Sequence, residues 1–233
     1  MTKTVLLAGA AALALSGNAF AAKPAHPVMA GKAAAFHITF PAKHPPGTIY
    51  SQRDNDNGVG IVSQQFTDFS GGTYDAQGAD DFITSGKAAI KEVVADGTYF
   101  NGSGPANSWN VTVYKDNGGI PGNVEGTCNS THYTDLGFGT PDIKLKNSCS
   151  GGTSKVKVKA GHHWVSVQAV MAFGVGGEWG WNTNNTLRND PAVWQNPGNG
   201  FGTGCTTWGN MQSCLGSYGE GPDFSFAVLG KGG

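Results

Sequence analysis

Nowhere in this 233-residue chain do apolar residues hold a 3.6-residue period through three helical turns, while period-two alternation of apolar and polar residues recurs from end to end. Helical layers are thereby excluded, and short strands become the building unit. Ile61–Phe66, Ala89–Phe100, Ile143–Lys146, Val156–Lys159 and Trp164–Val170 all read this way, as does the closing run Asp223–Leu229. Trp109, Val111 and Val113 alternate with Asn110, Thr112 and Tyr114, which sends one row inward and the other to the opposite face of a sheet. Glycine supplies 37 of the 233 residues, about twice the usual ~7%, so turns are frequent. Eight or more such strands predict an all-β fold: a two-sheet antiparallel β-sandwich of jelly-roll topology with a long disulfide-pinned C-terminal loop region.

The N-terminus carries Lys3, an apolar run from Val5 to Leu15, and Ala19-Phe20-Ala21, the pattern of a cleavable secretory signal over residues 1–21. The run is well short of the roughly 20 apolar residues that span a bilayer, so the mature form has no predicted membrane span. Residues 22–47, rich in Ala, Pro and Lys, read as a leader or tether with one edge strand at Phe36–Phe40. Residues 48–233 then form a single sandwich domain. Whole-chain charge is −1, and no basic patch carries interleaved aromatic residues, so nucleic acid is excluded as a partner.

Four cysteines, at 128, 149, 205 and 214, lie in a chain bound for an oxidising compartment, where pairing is the default. Three connectivities exist, and the local one, Cys128 with Cys149 and Cys205 with Cys214, closes the shortest loops. The absence of C-x-x-C spacing argues against zinc. Lysines 144, 146, 157 and 159 alternate with apolar residues and are expected on a solvated outer face, where they also discourage edge pairing.

After Trp109, the run V-x-V-Y-K-D-N-G-G-I-P-G, ending at Gly122, is a strand followed by a turn crowded with residues that accept positive φ. This stretch resembles a hairpin of jelly-roll modules from secreted bacterial surface proteins. The resemblance covers about a fifth of the chain and implies an extracellular accessory module; it brings no catalytic residues with it.

Chemistry concentrates between Gly174 and Pro222, nearly fifty residues with little strand pattern. Trp179, Trp181, Trp194, Trp208 and Tyr218 lie among Gly and Asn, a composition suited to sugar recognition, because a flat ring stacks on a pyranose while amides bond its hydroxyls. The competing reading is that these rings form the segment's own core. Glu178, Asp190 and Glu220 are the carboxylates from which a glycoside hydrolase would draw its pair. Asp54, Asp56, Asp80 and Asp81 are candidate ligands for a structural Ca²⁺, although the spacing is not that of an EF-hand. His162 and His163 are adjacent, so on a strand they face opposite sides and cannot chelate one metal together; turn or core roles are expected.

Three functions follow as expectations. The first is a secreted, non-catalytic binding or adhesion module that holds an extracellular glycan or surface polymer. The second is a carbohydrate-active hydrolase or lyase on the same scaffold. The third is a matrix or filament subunit that self-associates through the leader or an edge strand.

Overall fold

The computed structural model of the protein describes residues 23–32 and 46–232. The signal segment and the expected strand at Phe36–Phe40 lie outside the described residues. Strands β1 (Ala30–Lys32), β2 (Thr48–Ser51), β3 (Asp56–Val62) and β4 (Gln64–Phe66) precede the longer β5 (Gln77–Thr84). Then come β6 (Ala88–Ala95), β7 (Gly97–Phe100), and the hairpin of β8 (Ser108–Asp116) and β9 (Pro121–Ser130). After β10 (Tyr133–Asp135), β11 (Pro141–Lys144) and β12 (Val156–Val158) runs β13 (Gly161–Met171). The short helix α1 (Phe173–Gly176) leads to β14 (Glu178–Asn184), β15 (Val193–Gln195) and β16 (Gly209–Asn210). Helix α2 (Met211–Leu215) precedes β17 (Asp223–Phe224) and β18 (Phe226–Gly232).

The all-β sandwich is observed, built from three sheets. The large sheet has seven strands in the order β16-β15-β5-β13-β8-β9, with β4 joined to β13. Of the other two, one runs β1-β3-β14-β17 with β7 on β14, and the other β10-β11-β6-β18-β2 with β12 on β6. These two continue one another. A single residue, Asp96, separates β6 from β7, and Ser225 separates β17 from β18. Backbone bonds cross this seam from Asp96 N–H to Ser225 O (3.0 Å), from Asn182 N–H to Asp96 O (2.8 Å) and from Ser225 N–H to Asn182 O (2.9 Å). The buried Asp96 carboxylate takes a fork from Arg53 and a bond from the Ser225 hydroxyl (2.6 Å), so the charge at the seam is fully partnered.

Inward rows from all three sheets share one core. Trp109, Val111 and Val113 of β8 and Val165, Val167 and Ala169 of β13 meet Trp179, Trp181, Phe224 and Phe226 there. Trp109 sets its edge on Trp179 at 4.7 Å, and Trp181 stacks on Phe224 at 4.6 Å. Glycines permit the close approaches here: a Cβ on Gly97 would lie 2.4 Å from the Trp179 ring, and one on Gly180 would lie 2.5 Å from the backbone of Gly60 on the neighbouring strand. Both disulfides take the local pairing, Cys128–Cys149 and Cys205–Cys214. Each is worth about 2–4 kcal/mol, chiefly through the unfolded chain.

The structure corrects three expectations. Glu178–Asn184 is not loop but β14, paired to β3, β7 and β17 and buried along its whole length. A strand covered on both faces shows no polarity alternation, which is why its sequence reads as irregular. The sandwich is not wholly antiparallel, because β4 runs parallel to β13; the buried Gln64 side chain holds it there by donating to Met171 O and Gly177 O. Finally, the described part of the leader is no free tether. β1 pairs with β3, and the Val28 N–H donates to Glu178 at 2.7 Å.

Candidate functional site

Alternation along β5, β13 and β8 splits these strands into an inner row and an outer row. The outer row of the large sheet carries Gln77, Ala79 and Asp81 on β5, His162, Trp164, Ser166 and Gln168 on β13, and Asn110, Thr112 and Tyr114 on β8. Side-chain amides line one level of this face across five strands. Gln195 of β15 donates to Gln77 of β5 at 3.0 Å. Gln168 of β13 donates to Ala76 O beside Gln77. Asn110 of β8 donates to Gln168 at 3.0 Å and to Gln65 at 2.9 Å, and Asn129 of β9 donates to Asn110 at 2.7 Å. Each amide has two N–H donors and a two-lone-pair acceptor, so these bonds leave capacity toward solvent.

Aromatic surface adjoins the row. Half-buried Trp208 sets its ring edge-on to Tyr114 at 5.9 Å and packs with Trp164, Val193 and Ala79. The Tyr114 hydroxyl in turn receives Gln77 at 3.4 Å. Trp208 comes from the segment closed by Cys205–Cys214, so the disulfide fixes the loop that presents this ring.

At the other end of the same face lies a group of carboxylates around a histidine. Asp81 bonds His162 Nε2, while His162 Nδ1 faces Asp116 and Asp190, each at 3.9 Å. The His162 ring stacks over Trp164, whose Nε1 donates to Asp116 at 2.9 Å. Burial raises the Asp81 carboxyl above its ordinary range, against the lowering effect of bonds from Asp190 N–H and His162. Asp116 moves the other way: slight burial pushes it up, but donors from Trp164, Gly119 and Gly118 outweigh this and lower it. Asp81, His162 and Asp190 each bring one donor atom within 4.8 Å of the others, a mixed nitrogen and oxygen set that suits a first-row transition ion better than calcium.

The four carboxylates expected to hold calcium do not converge. Asp80 and Asp81 are neighbours on β5 and point to opposite faces. Asp80 is in the core, accepting from Gln52 (2.8 Å) and Phe224 N–H (2.6 Å), and burial drives its carboxyl well up, helped by the nearby Asp223 charge. Asp54 is paired with Arg188 at 2.6 Å, and Asp56 accepts from Gly58 N–H and Asn182.

The carboxylates proposed for hydrolysis also lie apart. Glu178 is buried and accepts from Val28 N–H and from Asn101, each at 2.7 Å; burial raises it to about 7. Glu220 is exposed and pairs with Lys32 at 3.3 Å, while Asp190 belongs to the histidine group. No two of them face each other across a cleft.

Of the expected aromatic platforms, Trp179, Trp181 and Trp194 are 0% exposed. Their Nε1 atoms bond Gly139 O, Ser225 O and Val62 O, so these rings are core and offer no face to a ligand. Trp208 lies on the outer face described above. Tyr218 is 51% exposed and borders a separate groove with His26, Tyr74 and Phe201.

Sequence reasoning missed Asp116, the pairing of His162 with Asp81, and the amide row. The outward positions of β8 and β13 carried a usable signal, since both strands place an amide two or more levels from an aromatic on the same face. Comparison with family models, with curated proteins and with solved structures returned no match. The functional reading therefore rests on this chain's own residues.

Proposed function

We propose that the protein is a secreted, non-catalytic module that binds a glycan on the outer face of the large sheet. The observation that carries this reading is the amide row Gln195, Gln77, Gln168, Asn110 and Asn129 beside half-buried Trp208. Five strands at about 4.8 Å spacing give the row a span of roughly 19 Å, the scale of a short oligosaccharide. Amide donors and acceptors match sugar hydroxyls, and an indole beside them supplies an apolar face for the ring.

Two further features support the reading. The segment 1–21 has the form of an export signal, and two disulfides suit an oxidising environment. A hydrolase reading loses its support, because Glu178, Asp190 and Glu220 are held against three different partners.

The test is a panel of neutral and insoluble polysaccharides titrated with the chain from Ala22 onward, followed by product analysis on any hit. Trp208→Ala is expected to weaken binding about tenfold, with circular dichroism confirming that the variant stays folded despite the packing lost on Trp164 and Val193. Tyr218→Ala, in the separate groove, is expected to leave binding alone. Unchanged affinity in Trp208→Ala would sink the site, and a released product would replace the binding reading with an enzymatic one.

A further inference from the structure

The face of the six-stranded sheet that turns away from the core carries a different chemistry. Lys157 of β12 and Lys231 of β18 both lie in register with Ala89 of β6, one on each side of it. Residues paired across a ladder share a face, so the two lysines flank a small residue, their backbones about 9.6 Å apart across the strands. Lys87 and Lys91 stand two positions before and after Ala89, Lys91 at the register shift between Ile90 and Glu92, and Lys155 and Lys159 stand two positions either side of Lys157. All six lysines are exposed. Among the described residues none of them enters an ion pair.

Four of them, Lys87, Lys157, Lys159 and Lys231, line a groove of about 480 Å³ together with Ala88, Ala89, Val158 and Gly232. Among the described residues no carboxylate lines it. Like charges crowded across neighbouring strands repel and cost stability. A solvated face needs no such crowding, and elsewhere on the same sheet Lys144 is compensated by Glu92 and Asp142. In a chain whose net charge is −1, six uncompensated cations on three adjacent segments are a local excess that the overall charge conceals.

We infer that this lysine groove is a binding site for an anionic polysaccharide, a chain bearing carboxylate or sulfate groups. The small Ala89 in register between Lys157 and Lys231 leaves room for an extended polymer to lie between the two lysine side chains. The lining offers no ring on which a nucleobase could stack, which disfavours single-stranded nucleic acid. Among the described residues it also offers no aromatic ring and no projecting large aliphatic side chain of the kind that seats a protein in a bilayer interface. This inference does not rest on the amide face, which belongs to another sheet.

The experiment titrates the mature protein with polygalacturonate and with dextran sulfate, taking unmodified dextran as the neutral control. Binding to the charged polymers is expected, weakening about tenfold as ionic strength rises from roughly 0.05 to 0.3 M. The double variant Lys157→Gln/Lys231→Gln is expected to lose about tenfold at low salt. Ala89→Trp, which fills the groove and keeps every charge, is expected to lose as much, and Trp208→Ala to lose nothing. Circular dichroism confirms that each variant is folded. Undiminished binding by both groove variants, equal binding to unmodified dextran, or tighter binding to duplex DNA or to vesicles of anionic phospholipid would each overturn the assignment.

Discussion

The two outward faces of this sandwich are made of the same kind of strand, yet they differ in what they do with charge. On the large sheet, the charged groups are answered: Asp81 holds His162, Asp116 is bonded by Trp164 and two backbone N–H groups, and the amides bond one another. On the six-stranded sheet, the lysines around Ala89 have no acidic partner among the described residues. A satisfied polar face is rigid and suits recognition by shape and hydrogen bonds, whereas an unsatisfied one waits for a counter-charge. Net charge, near zero for the whole chain, hides both.

The strongest way to break this arrangement is at the seam, because the lysine-bearing sheet joins its neighbour through Asp96. Arg53→Ala leaves the buried Asp96 carboxylate without the guanidinium fork and is expected to cost about 3–5 kcal/mol in urea unfolding. A loss under about 1 kcal/mol would mean that the fork in the structure does little.

Acidity gives a second lever. Glu178 is raised to about 7 by burial, so the folded chain holds this proton more tightly than the unfolded chain does. Stability from this group is therefore present at low pH and declines as pH rises from about 4.5 to about 7. Glu178→Gln is expected to flatten that decline by about 1–3 kcal/mol, read as melting temperature against pH. A variant with the wild-type slope would show that the leader contact does not report the charge on Glu178.

The comparison sharpens further if the faces are tested together. Trp208→Ala combined with Lys157→Gln/Lys231→Gln is expected to show additive losses, neutral glycan affected only by the first and polygalacturonate only by the second. Coupling above about 0.5 kcal/mol would argue for one continuous surface. The smallest effect concerns calcium. Asp54, Asp56, Asp80 and Asp81 have separate partners, so melting curves in EDTA and in excess calcium are expected to coincide. A calcium-dependent rise would reveal a ligand set assembled from other residues.

Much of the fold was legible because β8 and β13 set an apolar inward row, Val111 and Val113 with Val165 and Val167, against a largely polar outward row, Asn110 and Thr112 with Ser166 and Gln168, and their residues alternate accordingly. The disulfides were legible for a similar reason, since loop closure favours near neighbours. β14 was not. Its Glu178, Asn182 and Asn184 read as loop residues, yet each is buried and bonded to groups far away in the chain: Val28 N–H, Thr98 and Gln52 O. The three tryptophans taken for platforms failed by the same logic, because period and composition cannot tell a ring that faces a ligand from one that faces a second sheet. The acid and histidine group is non-local as well. Asp190 N–H reaches Asp81 across 109 positions, and no local pattern encodes that meeting.

Strand β1 has a practical consequence for anyone preparing this protein. Ala30, Gly31 and Lys32 cover the outer side of β3 opposite Ile61, Gly60 and Val59, and Gly31 fits beneath Phe100, where a Cβ would come within 2.3 Å of the ring. A recombinant chain trimmed to start at Gly47 would strip that cover and turn β3 into an adhesive rim, open to a strand from the next molecule. Trimmed samples should therefore aggregate on storage, visible as early-eluting material in size-exclusion chromatography, while chains that keep Lys23–Lys32 elute unchanged.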